Sequence, residues 1–387
     1  MHRWARAQNG GRLDSLTGGR FIAALMVFVF HIATLQLFAE GSGVGSALTF
    51  ATKTAGTIGV SFFFVLSGFV LTWSARSDDS YAGFLRRRLV KIYPNHVVTF
   101  CLAMLVFAAA ATPTGTAVLN LLLLQAWAPR PDIFLSVNGP SWSLSCELVF
   151  YLLFPLLLPR ISRIAGRRLW WWAAGVAALI VMLPGLAHLL PADPVFDGSL
   201  AATVLGGESI SRMWFVYILP PVRLLDFVLG MLSARIVISG HLPRIGVVPA
   251  ASIAALGYVA GLFAPMLYVA DAVTVVPLAL LVAALASADA RGFPTLLGCP
   301  LMRRLGEISF AFYLIQEIVL VSMRAMVGFD RHLDPLTGLL FGLAAFCLSL
   351  LLAYAMHRWV ETPAVRRWGR HTPPAVGRPA PRKEAAA

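Results

Sequence analysis

Arg20-Phe-Ile-Ala-Ala-Leu-Met-Val-Phe-Val-Phe-His31 is the stretch that decides the fold. It reads as an apolar helix with one Arg at its mouth and one His inside it. Eleven steps of ~100° make three turns plus about 20°, so both side chains share a face, roughly 16 Å apart along the axis. If the helix crosses a bilayer, Arg20 sits at the polar boundary and His31 near the hydrocarbon middle. An ionisable group at that depth is costly and points to a functional site. A structural His hydrogen-bonded to a neighbouring helix is the other reading, and the stretch alone leaves both open.

The rest of the chain has the same character. Of 387 residues, 58% are apolar and 13% charged, and the mean hydropathy is +0.78. A soluble protein cannot expose that much apolar surface, so the expected fold is all-α, a polytopic membrane helix bundle. The net charge of +13 first suggests nucleic acid. The charges fall between apolar blocks, however, which is the pattern of loops on one side of a membrane and excludes a phosphate-backbone stripe. Cys101, Cys146, Cys299 and Cys347 are scattered and form neither a CxxC nor a Cys/His cluster. Neither a disulfide nor a metal is therefore expected. The first apolar run lacks a small-residue cleavage site and is expected to remain as a helix.

Apolar blocks long enough to span lie at about 21–39, 56–74, 92–111, 141–159, 169–190, 214–235, 246–268, 270–288, 307–327 and 336–357. The pair joined at Val269-Ala270-Asp271 is the least distinct, because Pro265 and Pro277 blur its edges. Leu119 to Trp127 is too short to span and reads as an interfacial or re-entrant piece. Ten spans put both termini on one side. Twenty-five of the 31 Lys and Arg lie in the N-terminal segment, in 75–91, 160–168, 235–245 and 289–304, and in the tail from 358. The opposite segments hold only Lys53, Arg130, Arg212 and Arg331. Such an asymmetry, alternating at every crossing, predicts ten spans with both ends cytoplasmic. The domain reading is a cytoplasmic segment over 1–20, a transmembrane domain over 21–363 and a basic, disordered tail over 364–387, suited to anionic lipid.

Five constellations could carry chemistry. His31 suits a general base, since an unperturbed imidazole titrates near neutrality, and Arg20 could hold a phosphate. Arg86-Arg87-Arg88 with Lys91 could clamp an anionic cofactor, or could serve topology alone. If the segment is extended, Arg86 and Arg88 point one way and Arg87 another; if it is helical, that argument weakens. In Trp142-Ser-Leu-Ser-Cys-Glu147, Ser143 and Glu147 form an i,i+4 pair entering a span. Glu147 needs a partner: it could pair with an Arg, orient His31 or help hold an acceptor, or be part of a structural ion pair. Trp142 reads as an interfacial anchor. Arg223 and Asp226 can pair within one helix. Glu307, Tyr313, Gln316 and Glu317 read as bundle-facing groups with structural hydrogen bonds. Ser61 and Ser67 suit close helix contact, and no nucleophile elbow, Walker loop or HExxH occurs.

Seven of these pieces, taken in order, resemble a known family. They are Leu13-Asp-Ser-Leu-Thr-Gly-Gly-Arg20 with His31, Phe62-Phe-Phe-Val-Leu-Ser-Gly68-Phe69, Phe84-Leu-Arg86-Arg87-Arg88 with Tyr93-Pro94, Trp142-Ser-Leu-Ser-Cys-Glu147, Arg223-Leu-Leu-Asp-Phe-Val-Leu-Gly230, Leu305-Gly-Glu-Ile-Ser-Phe-Ala-Phe-Tyr313-Leu and Glu361-Thr-Pro363. The chain resembles the acyltransferase 3 family of integral-membrane O-acyltransferases over about residues 12–365. The resemblance implies transfer of a short acyl group, such as acetyl or propionyl, from acyl-CoA to a hydroxyl. It implies catalytic roles for His31 and Glu147, and binding of acyl-CoA by Arg20, Arg86 and Arg88, with no metal. Where many members read Tyr-Leu-x-His, this chain has Gln316, so a second titratable group is in doubt there.

Many cell-surface members carry an extra extracytoplasmic domain. The expectation here is a stand-alone enzyme of the plasma membrane, acting on a sugar-containing acceptor such as a macrolide antibiotic or another secondary metabolite. A surface or exopolysaccharide O-acetyltransferase is the alternative. A transporter or a structural membrane protein is the rival from another class, and dependence on acyl-CoA separates them. The expected partners are membrane lipid, acyl-CoA and the hydroxyl-bearing acceptor, with no nucleic acid.

Overall fold

A computed structural model describes residues 12–39, 41–76, 79–196, 207–243 and 245–369. Its ten principal helices are α1 (Asp14–Thr34), α2 (Ala55–Trp73), α3 (Tyr81–Ala103), α4 (Trp142–Ser162), α5 (Leu169–Ala187), α6 (Pro220–Ile238), α7 (Val247–Phe263), α8 (Val275–Ala290), α9 (Pro300–Val327) and α10 (Pro335–Met356). Each overlaps one of the ten apolar blocks. Eight helical stretches are long and apolar enough to cross a membrane, whereas α7 and α8 are shorter apolar helices. The link between those two is not a water-exposed loop. Val269, Ala270 and Asp271 are buried, and Asp271 reaches the guanidinium of Arg223.

Contacts between loops keep the two sets of segments apart. At one end Arg303 pairs with Asp14, Ser15 bonds Asp289, Arg235 donates to the Ser162 carbonyl and Lys91 pairs with Glu361. At the other, Lys53 donates to the Ala264 carbonyl, Arg212 to Leu190 and Arg324 to Gln36. The Lys/Arg-rich segments therefore meet one another, as the alternation of charge requires.

Several helices begin earlier than the apolar pattern suggests. α1 starts at Asp14, because Gly18 and Gly19 let its first turns close on protein: a Cβ at Gly18 would stand 2.0 Å from the Leu297 carbonyl oxygen. His31 is therefore three residues from the end of α1 rather than at mid-span. α3 starts at Tyr81 and takes in the whole Arg run. The region 114–141, which contains Leu119 to Trp127, forms only short helical pieces, none long enough to span. In it, buried Asn120 donates to Ser136 and Ser141, and buried Gln125 bonds Ser141 and Ser145. Trp142 is buried and packs on Phe64 and Tyr217 in the core, so it is not an interfacial anchor. Thr362–Trp368 is helical, so the chain continues in order past 364; residues 370–387 of the expected tail lie outside the described residues.

α2 is the centre of the bundle. Seventeen of its 19 residues are buried, as befits a helix apolar on every side. It packs on α1, α6, α8 and α4. Small residues set the distances. A Cβ at Gly68 would meet the Phe227 carbonyl oxygen at 1.9 Å, and one at Gly230 the Val65 carbonyl oxygen at 2.0 Å. The α2 and α6 backbones thus touch at a reciprocal pair of glycines.

This contact brings Ser61 to the Arg223 guanidinium at 2.7 Å. Arg223 also pairs with Asp226 at 2.6 Å and with Asp271 at 3.1 Å, and lies over the Phe64 and Tyr217 rings. The expected pair within α6 is thus part of a larger buried cluster. Arg324 is buried differently, among the carbonyl oxygens of Gly328, Phe329, Arg331 and Gln36. Glu307 does not face the bundle: it is exposed and pairs with Arg12.

Gly68→Ala and Gly230→Ala are expected to destabilise the fold by at least the 1–3 kcal/mol typical of overpacking, since backbone must move. Thermal unfolding in detergent would show both midpoints falling. Gly175→Ala, where a Cβ meets nothing within 4 Å, should leave the midpoint in place. Equal midpoints for all three would remove the close approach as the organising contact.

Candidate active site

A continuous line of polar side chains runs through the bundle from His31 toward the Lys/Arg-rich end. His31, on α1, meets Gln316 of α9, with Gln316 Nε2 at 2.6 Å from His31 Nδ1. One turn back along α9, the Tyr313 hydroxyl lies 2.9 Å from Ser143 Oγ, and both reach the Pro140 carbonyl oxygen. One turn on from Ser143 stands Glu147, and Tyr151 Oη donates to its Oε2 at 2.8 Å. Arg20, Arg88 and Lys91 are close enough to Glu147 to act on its charge. Each step is either a hydrogen bond between helices or an i,i+3 or i,i+4 step along one face.

The sequence holds this line in place by local means. Val137 adopts a φ of 61°, a rare conformation for a β-branched residue, where the chain turns into Asn138-Gly139-Pro140. Asn138 Nδ2 donates to the Leu314 carbonyl at 3.0 Å and so ties this turn to α9. Gly139 stands against the Glu317 carboxylate: a Cβ there would lie 2.7 Å from its oxygens and would displace that side chain.

At the Lys/Arg-rich end, a cavity of about 630 Å³ opens beside Glu147's neighbours. Arg76, Arg87 and Arg88 line it, with Phe84, Phe154 and Pro155. Arg87 is ion-paired to Asp79, and the Arg88 guanidinium lies over the Phe84 ring at 5.5 Å. Farther along α3, Lys91 and Asn95 both bind Glu361. A π turn over His357–Glu361 carries that carboxylate inward, and His357 Nδ1 is 3.5 Å from it.

His31, Arg20, Arg88 and Glu147 therefore belong to one arrangement. Arg86 does not join it as expected. The Arg run is helical, so residues two apart point about 200° apart around α3. Arg86 is exposed, while Arg87 and Arg88 turn toward the cavity. Glu147 does not orient His31 either; its hydrogen-bond partner is Tyr151, and His31 is held by Gln316. Tyr151 was within reach of sequence reasoning, as the i+4 neighbour of Glu147. Gln316 does face the bundle and hydrogen-bond there, as expected, but its partner is His31, which the sequence does not indicate. Glu361 was noticed as part of a motif, without its role of neutralising Lys91.

What the arrangement can do chemically is acid–base work at His31, at one end of a polar line whose other end approaches a cationic cavity. The Gln316 amide oxygen has no partner among the described residues. A half-turn of that amide places its oxygen on Nδ1–H, leaving Nε2 with a free lone pair.

The chain belongs to the acyltransferase 3 family, and it is an integral-membrane O-acyltransferase: the family's acyltransferase domain matches residues 13–358. It is similar to the acyltransferase MdmB of Streptomyces mycarofaciens, 43% identical over 94% of this chain and 95% of the other. It is also similar to the exopolysaccharide production protein ExoZ of Rhizobium meliloti (strain 1021), 28% identical over 81% of this chain and 91% of the other. An O-acetyl transferase of Shigella phage Sf6 is 29% identical over 35% of this chain and 42% of its own length. No solved structure matches. Membership of an enzyme family sets the transporter reading aside.

Gln316→Leu keeps the side chain's size and removes its bond to His31. The variant should lose roughly a hundredfold in kcat, the lower range of what a positioned acid–base group supplies, with KM for the donor little changed. Steady-state kinetics in nanodiscs would check this. A wild-type kcat would mean that the Gln316 contact does not position the base.

Proposed function

We propose that the protein transfers a short acyl group from acyl-CoA to a hydroxyl of a sugar-containing acceptor, such as a macrolide antibiotic or another secondary metabolite, in the plasma membrane. Acyl-CoA enters from the cytoplasm at the Lys/Arg-rich end, which the charge bias assigns to that side, and both termini lie there. One observation carries the reading: a line of polar side chains runs from His31 to Glu147, and the charge of Glu147 is felt by Arg88, which lines a cavity with Arg76 and Arg87. Guanidinium groups bind phosphate oxygens in a fixed fork, which suits the diphosphate of CoA. Arg20, beside Glu147, extends the cationic surface inward.

His31 Nε2 takes the proton of the acceptor hydroxyl. The acceptor oxygen attacks the thioester carbonyl carbon, a C–O bond forms and the C–S bond breaks. The imidazolium returns its proton to the departing thiolate, and the products are an ester and CoA. Gln316 holds the imidazole in the tautomer that leaves Nε2 free. Glu147, tied to Tyr151, balances the charge of Arg20 and Arg88, so that the basic surface does not extend unopposed into the bundle.

The similarity to the acyltransferase MdmB, over nearly the full length of both chains, is stronger than that to ExoZ and supports acyl transfer as the activity. The weaker similarity to a protein named for exopolysaccharide production keeps a surface polysaccharide as the second acceptor class.

Purified protein would be given labelled acetyl-, propionyl- and isovaleryl-CoA with pooled host metabolites and glycans, and products read by mass spectrometry. A product that appears with wild type and is lost in folded His31→Ala is expected, its mass giving both acyl group and acceptor. Undiminished transfer by His31→Ala would overturn the base assignment. Absence of product with every donor would overturn the reading as a whole. Arg88→Gln should raise KM for acyl-CoA about tenfold, the worth of one charge-assisted hydrogen bond, while leaving kcat within a fewfold. An unchanged KM would remove Arg88 from the donor site.

A further inference from the structure

Next to Glu147, within the bundle, is a small hollow of about 30 Å³. α2 contributes Val60, Phe63 and Phe64, α4 contributes Ser143, Leu144 and Glu147, and α9 contributes Phe310 and Tyr313. It lies between the cationic cavity and His31 along the polar line. Glu147, at one side of it, is close to Arg88, which lines the cavity. Tyr313, at the other, is one turn from Gln316, which touches His31.

We infer that this hollow receives the acyl group and limits it to two or three carbons. The inference rests on the acyl-CoA reading and adds to it the residues that choose the donor. A water-sized group needs about 10–15 Å³ measured this way, so the hollow admits one or two such groups beyond the carbonyl and no branched chain.

Its walls differ in freedom. Phe64 is fixed edge-on against Phe150 at 5.0 Å and Trp142 at 6.2 Å, with the Arg223 guanidinium over its face. Tyr313 is pinned by Ser143 and by the Pro140 carbonyl. Phe63 and Phe310 are only partly buried. These two set the size that can change without loosening the core, and Phe63 leans edge-on against Tyr313 at 5.6 Å.

The polar side of the hollow suits a carbonyl. Ser143 and Tyr313 have one hydroxyl proton each, yet three contacts ask for a proton: Ser143 to Pro140 O at 2.8 Å, Tyr313 to Pro140 O at 3.2 Å, and Ser143 to Tyr313 at 2.9 Å. Two protons cannot fill three bonds. When Ser143 donates to Pro140 and still accepts from Tyr313, the long Tyr313–Pro140 contact is already idle. Tyr313 can then turn its proton to an acyl oxygen for the exchange of one hydrogen bond. An acyl carbon held there has its oxygen toward Tyr313 and its methyl toward Phe63 and Phe310.

The test is a donor competition among acetyl-, propionyl-, butyryl- and isovaleryl-CoA, with wild type, Phe310→Ala, Phe63→Ala and the milder Phe310→Leu, in nanodiscs. Wild type should prefer acetyl or propionyl to isovaleryl by at least tenfold in kcat/KM, the least that a misfit of one carbon supplies. Phe310→Ala or Phe63→Ala should shrink that ratio at least tenfold, and Phe310→Leu should shift it the same way by less. Equal use of isovaleryl by wild type would overturn the inference. So would folded, active Phe variants with an unchanged donor profile, and in that case the acyl-CoA reading would stand. Transfer from no donor by any of the proteins would overturn both.

Discussion

The contact between the α2 and α6 backbones at Gly68 and Gly230 is the constraint on which the rest depends. With lipid on one side and protein on the other, helix association gains little from burying apolar surface and much from close fit. Two glycines, Gly68 facing the Phe227 carbonyl and Gly230 facing the Val65 carbonyl, allow an approach that no side chain could tolerate. The same approach makes α2 central, so one of its faces meets α6 while another meets α1. The first face carries Ser61 to Arg223, and the second keeps α1, with Arg20 and His31, against the core. Phe63 and Phe64, between these faces, then stand where α4 and α9 converge.

Charge inside a membrane bundle is stable only where it is matched, and this molecule matches it in three ways. Arg223 has two carboxylates and a hydroxyl. Arg324 has four carbonyl oxygens and no acid among its hydrogen-bond partners. The first arrangement ties α6 to the link before α8, and the second ties the end of α9 to the residues after α1. Glu147 differs from both. It takes one hydrogen bond from Tyr151 and shares the field of several cations that reach toward a cavity. Structural charges here are enclosed by protein groups, whereas Glu147 and Arg88 border open space, which is where a ligand's charge can enter the balance.

The fold was largely legible because apolar length and the placement of Lys and Arg are properties of single segments. Even the weakest pair, α7 and α8, could be counted from its sequence. Helix starts were less legible: residues 14–19 are too polar and small to read as membrane-spanning, yet they are helical because α8 and α9 and the loop between cover them. Trp142 reads as interfacial because it follows a polar turn, and nothing local reveals that Phe64 and Tyr217 enclose it. At the site, identities on one helix face were accessible, as with Ser143 and Glu147. The Arg run was not, because a row of like charges has no periodicity, and helix or strand decides which members share a direction. Gln316 and His31 are 285 residues apart in sequence, and only the packing of α1 on α9 pairs them.

That pairing bears on how a proton can move. A histidine at 316 would give the base a titratable neighbour, and two imidazoles would compete for one proton. An amide cannot ionise. It can accept from Nδ1 or donate to it, and a half-turn exchanges the two, so it fixes which nitrogen is free without sharing the charge. The next polar groups along the line, Tyr313 and Ser143, are hydroxyls already committed to each other and to Pro140. Neither is a proton sink near neutral pH. A proton taken up at His31 therefore meets an amide and not a carboxylate at its hydrogen-bond partner among the described residues, and Glu147 lies beyond the hydroxyl pair. In the proposed transfer the departing thiolate is the base that remains, which couples return of the proton to cleavage of the C–S bond.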